Sequence, residues 1–393
     1  MSIYPRLKKW GYSVQPSDGR SRVLFLFESG RSESTWKKRF LNGEVADEYP
    51  YGLDPKSFDD WSISFARDYF TSGIWSLLRR ALRKTVRTDV IHVLFNIRSI
   101  YKSDVVISHT EDTCVAYLLI GRFFRNLPPI VAQVVWAGET QNLNVSLQSR
   151  LARFSLRSAE VVVTHSTLNA AALSQWLGRP VQVAQYGIDP SPFLRNRKFA
   201  ADSKRSHLNA EVNSAPVVIC AGNDPQRDWD LLREIAVHRR DLSFLVCSRT
   251  APITLNDQVN ISVISNARFS DIINIYAVSH CSVIPLKENK HASGLTVALE
   301  STAAGVPFVA TSGGGLEEYF SNSYRGFISG DCVEDWSRAI DYAISSDGRA
   351  DLLESSSGLI YDRELTNIGY GKRMLACASD ALSTADSVKS EEA

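Results

Sequence analysis

The chain has no CxxC pair, no run of 18 uncharged apolar residues and almost no net charge. Each absence excludes something. The six cysteines, Cys114, Cys220, Cys247, Cys281, Cys332 and Cys377, are scattered, and several lie in or beside apolar runs. That points to reduced, buried thiols rather than disulfides or zinc ligands, and so to a cytosolic protein. Without a long apolar run nothing is expected to span a membrane. The opening residues, MSIYPRLKKWGY, lack the apolar core of a signal peptide. A formal net charge of +1 argues against a bulk nucleic-acid binder. No His/Asp cluster offers a seat for Mg²⁺, so no metal is expected. What remains is globular, 44% hydrophobic and 22% charged, and at 393 residues too long for one ordinary core.

Apolar runs and helical stretches alternate, which predicts parallel sheets with right-handed crossovers. Buried strands are expected at 22–28, 104–109, 129–136, 160–164 and 181–186. The first ends in Gly30, Arg31 and Ser32, where a backbone can approach a ligand, and a helix follows, capped by Ser34 or Thr35. A long helix is expected over 61–87, broken if anywhere near Gly73. Its Trp61, Phe65, Tyr69, Trp75, Leu78 and Leu82 recur mostly by threes and fours, and Arg79, Arg80, Arg83, Lys84 and Arg87 make one end basic. Such a helix can lie in an anionic membrane surface. A core-packed helix with a solvated basic face is the alternative. The polar stretch 195–216 reads as an interdomain linker. The alternation then restarts, with strands at 217–221, 242–247, 259–264 and 281–285 and helices at 230–238 and 269–277. The expected division is a domain at 1–194, the linker 195–216, a domain at 217–365, and a final helix with its tail at 366–393. Two Rossmann-like domains facing across a cleft suit the joining of two substrates away from water.

The most informative stretch is 291–300, HASGLTVALE, continuing STAAGVPFVATSGGG. Ser293 and Gly294 read as a helix start and Leu295 to Ala304 as its body. Gly305 is the stop, and Pro307 forbids continuation. A buried strand, 306–311, and the loop of Gly313, Gly314 and Gly315 follow. Ser293, Thr296 and Glu300 fall at i, i+3 and i+7, on one face, and Glu300 lies roughly 10 Å from the helix start. A helix N-terminus attracts phosphate, and a carboxylate two turns along can accept both hydrogen bonds of a ribose diol. A capped helix with one solvent-facing glutamate is the alternative.

The run PLKENKHASGLTVALESTAAGVPFVATSGGGLEE resembles the donor-site signature of the group 1 glycosyltransferases, a large retaining family of GT-B fold. The likeness is carried chiefly by 285–318, with 221–232 and 186–193 supporting it. It implies an α/β GT-B architecture whose C-terminal helix crosses back to the N-terminal domain. Glu300 matches the second of two family glutamates, the one that holds the ribose hydroxyls, and Gly305 and Pro307 match its Gly-x-Pro. The first glutamate should stand at Ala292, and Glu288, four residues earlier, is the candidate replacement. The amides around Ser293, Gly294, Leu295 and Thr296 match the part that meets the donor's phosphates. Gly313, Gly314 and Glu317 resemble the family's GGxxE turn. AGNDPQRDWDLL resembles the Gly-Arg loop that clamps the diphosphate. Gly222 is kept, Asn223 replaces the arginine, and Arg227 takes the lysine position. A second cation would come from Lys287, Lys290 or Arg249. The alternative for Arg227 is a surface arginine paired with Asp224 or Asp228. His109 fits a recurrent family histidine, and Trp136 occupies the region of a second. Glu139, Glu111 or His109 is expected near the acceptor, and His165 only at a helix start.

The resemblance thus implies catalytic roles for Glu300, Arg227, His109 and Glu288. It implies donor contacts from Gly222, Asn223, Arg227, Ser293, Gly294, Leu295, Thr296 and Glu300. The expected activity is transfer of a hexose-type sugar, with retention, from a nucleotide-diphosphate sugar to a hydroxyl of a glycan or lipid-linked acceptor, as in polysaccharide biosynthesis. The donor is a substrate, and no cofactor or nucleic acid is expected. The expected location is the cytoplasm, with peripheral contact to the inner membrane face. The alternatives are a nucleotide-sugar 2-epimerase of similar fold and a non-catalytic sugar-binding relative.

Overall fold

The computed structural model describes residues 19–69, 88–137, 147–195, 215–320 and 323–392, with Gly73, Ser76, Leu77, Arg79, Arg80 and Arg83. The chain divides into two compact units. One comprises Met1–Arg39, Glu48–Gln185 and Tyr370–Ala393, and the other Phe40–Asp47 and Tyr186–Gly369. The boundary therefore falls at 185/186 rather than 194, and most of the expected linker lies outside the described residues.

The first unit is built on a six-stranded parallel sheet. Its strands are β1 (Ser21–Leu26), β2 (Trp61–Phe65), β3 (Val105–His109), β4 (Ile130–Gln133), β5 (Val161–Thr164) and β6 (Gln182–Val183), in spatial order β2-β1-β3-β4-β5-β6. β3, β4 and β5 are buried at every position. That is why they read as continuous apolar runs, as strands covered on both faces do. The helix Glu111–Ile120 packs on this sheet, and the final helix, Asn367–Glu392, belongs to this unit from Tyr370 onward. Gly371 shows how closely it packs, because a Cβ there would lie 2.4 Å from the Phe58 ring.

The stretch expected as one helix over 61–87, or two broken near Gly73, begins instead as β2, in parallel register with β1 from Ser21↔Trp61 to Phe25↔Phe65. Beyond Gly73 the described Ser76, Leu77, Arg79, Arg80 and Arg83 are helical as expected. WSISF alternates apolar and polar residues, a strand period that the wider spacing of aromatics obscured. Trp75, Leu78, Leu82, Lys84 and Arg87 lie outside the described residues. Of the basic end, Arg79 pairs with Asp89 at 2.5 Å and Arg83 with Asp112 at 2.9 Å. Those cations are bound within the protein. Helix Glu33–Leu41 starts one residue before the expected caps, and Ser32 accepts from the Thr35 amide at 3.3 Å. Helices at Val90–Phe95, Leu147–Leu156 and Ser346–Ser355 were not expected.

The second unit has its own core and a second parallel sheet. Its strands are β7 (Val217–Ala221), β8 (Ser243–Cys247), β9 (Ile261–Val263), β10 (Cys281–Ile284), β11 (Phe308–Thr311) and β12 (Phe327–Ile328), in order β12-β11-β10-β7-β8-β9. The chain runs outward from β7 through β8 and β9, then returns to place β10 on the other side of β7. The order reverses between β7 and β10. In open α/β sheets such a switch point, at the carboxyl ends of the strands, is where ligands bind. All six cysteines are unpaired thiols, and all but Cys332 are buried. Among the described residues no helix is long and apolar enough to cross a membrane.

Candidate active site

The loops after β7 and β10 meet at this switch point. The β7 loop leaves the sheet through Gly222, at φ 117°. It is then tied to the β10 loop by the amide of Asp228 on Pro285 O (3.0 Å), the amide of Lys287 on Gln226 O (2.8 Å), and a bridge between Arg227 and Leu286. These ties carry Arg227 inward. It is 2% exposed, and its Nε and Nη1 have no hydrogen-bond partner among the described residues. The surface ion pair offered as its alternative is absent. The Asp224 carboxylate is engaged by His291 at 2.9 Å, and Asp228 accepts from the Leu231 amide at the start of helix Trp229–His238. Burial lowers the pKa of Arg227, against the pull of Asp224 and Glu300. A buried cation without hydrogen-bond partners costs several kcal/mol, and here Asp224 and Glu300 offset that cost only through space.

Helix Leu295–Ala304 starts beside that charge. Both ends are glycines in the left-handed region, Gly294 at φ 80° and Gly305 at φ 68°. A Cβ on Gly294 would lie 2.6 Å from Ile284 Cγ2 and 3.5 Å from Arg227 Nη1. A Cβ on Gly222 would lie 2.5 Å from Arg227 Nη2. The two glycines therefore flank the guanidinium and allow its close approach. Ser293 is 2% exposed with an orphan Oγ, while Thr296 is exposed. The helix N-terminus adds outward amides and a partial positive charge to the same place.

Glu300 lies farther along the helix. Tyr276 donates to its Oε2 at 3.4 Å. The residue keeps some exposure, yet its carboxyl is enclosed enough that burial pushes its pKa up to about 8, against the opposing effects of Tyr276 and Arg227. The solvent-facing glutamate offered as the alternative is thereby replaced by a carboxyl near its titration point at neutral pH. Glu288 is exposed, as are Lys287 and Arg249, and Lys290 is half-buried. Asn223 is also exposed, and its Oδ1 accepts from the Arg249 amide at 2.7 Å. Its acceptor thus ties the β7 and β8 loops together. The GGxxE turn closes on itself, with Glu317 accepting from Ser312 Oγ (2.5 Å) and the Gly313 amide (3.0 Å).

The first unit's expected residues are placed differently. His109 ends β3 and is buried between Phe27 and Tyr51, with ring centroids 5.3 and 4.6 Å away. Burial, then the charge of Arg31, holds it well below the ordinary histidine range, so it is neutral at pH 7. Its Nδ1 has no partner among the described residues. Glu111 has its Oε1 engaged by the backbone, accepting from the amides of Val135 (2.9 Å), Trp136 (2.5 Å) and Ala137 (2.8 Å). Glu139 lies outside the described residues. The β1 loop likewise has its own anion, since Asp68 accepts from Gly30 (2.6 Å) and Ser32 (3.3 Å) amides and from Thr35 Oγ1 (2.7 Å). His165 does more than start a helix. Its Nδ1 meets Ala184 O at 3.0 Å and its Nε2 meets Gln133, which in turn accepts from Tyr370.

Sequence comparison bears on the second unit. The family described as glycosyl transferases group 1 matches residues 254–356. Over those residues the chain carries the group 1 pattern. Glu300, Ser293 and Gly294 lie inside this group 1 segment, and Arg227 lies ahead of it. No curated protein matches the chain. Solved structures match along nearly its whole length. HepE from Anabaena, described in complex with UDP and glucose, is 14% identical with a TM-score of 0.65, covering 92% of this chain and 100% of that one. Sucrose-phosphate synthase from Thermosynechococcus elongatus is 12% identical (TM-score 0.61; 94% and 99% covered). A UDP-forming α,α-trehalose-phosphate synthase from Burkholderia xenovorans is 11% identical (0.61; 92% and 99%). At such identities the likeness is one of fold, and the fold is GT-B.

Proposed function

We propose that the protein is a glycosyltransferase that moves a hexose-type sugar from a nucleotide-diphosphate sugar to a hydroxyl of a glycan or lipid-linked acceptor, with retention and without a metal. The observation that carries the reading is Arg227, a buried cation with two unpartnered donors beside a helix N-terminus. A diphosphate satisfies both at once. A guanidinium fork binds phosphate oxygens bidentately, and the helix amides take others. In the reaction the bond from the anomeric carbon to the β-phosphate oxygen breaks, and negative charge grows on the leaving diphosphate. Arg227 and the amides of Gly294 to Thr296 stabilise that charge where it develops. The acceptor oxygen bonds to the anomeric carbon, and its proton passes to the departing phosphate. Glu300 accepts from the ribose hydroxyls and sets the distance from nucleoside to diphosphate. Metal independence rests on a protein cation standing where the charge appears.

Thermal-shift titration with UDP-, GDP- and ADP-sugars is the first test, with UDP-glucose the lead because HepE was also crystallised with it. Stabilisation by one donor class, followed by transfer that persists in EDTA and keeps the anomeric configuration, is the expected result. No stabilisation by any of them overturns the reading. Epimer formation without acceptor favours a 2-epimerase.

A further inference from the structure

The strongest feature outside the donor site is a surface of the first unit. The turn after helix Glu111–Ile120 and the helix Leu147–Leu156 expose two phenylalanine rings among arginines. Phe123 is 86% exposed and Phe154 60%. The Arg122 guanidinium stands 3.9 Å over the Phe154 ring, which joins the two elements into one surface. Arg125 and Arg157 are exposed as well, and Arg157 with Arg150, Arg153 and Phe154 lines a shallow hollow. Residues 113–159 hold five arginines and a single acidic residue, Glu139, in a chain whose formal charge is only +1. The positive charge is therefore concentrated locally.

Arginines alone suit any polyanion. Two phenylalanine rings held in water beside them suit a narrower partner, one with an apolar layer under a negative surface. A bilayer with anionic headgroups is such a partner. Rings enter the headgroup boundary while long cationic side chains reach phosphates. We propose that the surface formed by Arg122, Phe123, Arg125, Phe154 and Arg157 docks this protein on an anionic phospholipid bilayer. The stretch 61–87, expected from sequence to do this, begins as a strand and spends Arg79 and Arg83 on internal carboxylates. The proposal does not depend on the catalytic reading and is tested without turnover.

The test is co-sedimentation of the full chain with phosphatidylcholine vesicles, with and without phosphatidylglycerol, at low and high salt. Binding is expected only with phosphatidylglycerol, and it should weaken with salt. Arg122→Ala and Arg125→Ala should each lose roughly fivefold. The double variant Phe123→Ser, Phe154→Ser should lose at least about tenfold, with its melting temperature unchanged because both rings are exposed. Absence of binding to phosphatidylglycerol vesicles overturns the proposal. So does binding that the phenylalanine variant leaves intact, most plainly if heparin competes equally, since that marks a site for polyanions alone.

Discussion

His291 Nε2 lies 2.9 Å from Asp224 Oδ2, and this one contact joins loops that leave neighbouring strands. Asp224 also accepts from the Gln226 amide (2.8 Å), and its carbonyl accepts from the Arg227 amide (3.1 Å). The His291 carbonyl accepts from Ser293 (2.9 Å) and Gly315 (3.3 Å). The pair thus ties together the loops after β7, β10 and β11. Burial alone would raise the Asp224 carboxyl. The bond from His291, the Gln226 amide and the charge of Arg227 hold it below its ordinary value.

Breaking this pair should loosen the donor site rather than remove a reacting group. Asp224→Ala and His291→Ala are each expected to weaken donor binding about tenfold, and the double variant little more than either. A double-mutant cycle on the donor Kd should give a coupling of about 0.5–3 kcal/mol, the range for residues in contact. Fully additive losses would show that the two residues act separately.

Arg227→Met should separate stability from activity. It replaces an unpaired buried charge with an apolar chain of similar length, so the melting temperature of the ligand-free protein should hold or rise. Turnover should fall by roughly 10²–10³, the usual cost of removing one group that stabilises leaving charge. A collapsed melting temperature would mean that Arg227 has a structural partner.

Glu300 ties stability to pH. Its carboxyl is raised from an ordinary 4.5 to about 8 by burial. Between those values the folded protein holds a proton that the unfolded chain has released. The contribution of Glu300 to stability therefore falls as pH rises from about 4.5 to about 8, and is level beyond. Asp47, raised to about 7 by burial and the charge of Asp189, acts in the same direction. Glu300→Gln should flatten its share of this slope and stabilise the ligand-free protein at neutral pH by up to about 3 kcal/mol. Glu300→Ala should lose most turnover with the fold intact. Melting curves across pH, with Asp47→Asn as a second arm, separate the two carboxyls.

Gly294→Ala is expected to cost about 1–3 kcal/mol, from a side chain in the left-handed region and a Cβ driven against Ile284. Denaturant unfolding measures this. A neutral result would place the start of the helix elsewhere.

How much of this could be read from the chain varies with the range of the signal. Leu295–Ala304 begins and ends where the sequence places it, because a glycine with positive φ marks each end. Val217–Ala221 is likewise a closed apolar run. Trp61–Phe65 carries a misleading signal, because its alternation is short and the aromatics around it are spaced like a helix. Arg227 was legible as a cation in a glycine loop, but its burial and missing partners depend on backbone ties to the β10 loop. The contacts Asp224–His291 and Tyr276–Glu300 join residues 67 and 24 apart. No local pattern announces them. His291 has no role legible in the motif, because its partner follows β7, three strands earlier in the chain.

The Asp68 carboxylate seated on the Gly30 and Ser32 amides has a consequence for how the two halves have specialised. A tethered ligand competes at an effective concentration that a free one rarely reaches. Burial would raise this carboxyl, but its hydrogen bonds hold it below its ordinary value, so it stays ionised at neutral pH. An incoming phosphate would have to evict a resident anion from the β1 loop, whereas Arg227 Nε and Nη1 have no hydrogen-bond partner among the described residues. The first unit therefore answers its loop amides with a carboxylate of its own, while the second sets a buried guanidinium beside its helix amides.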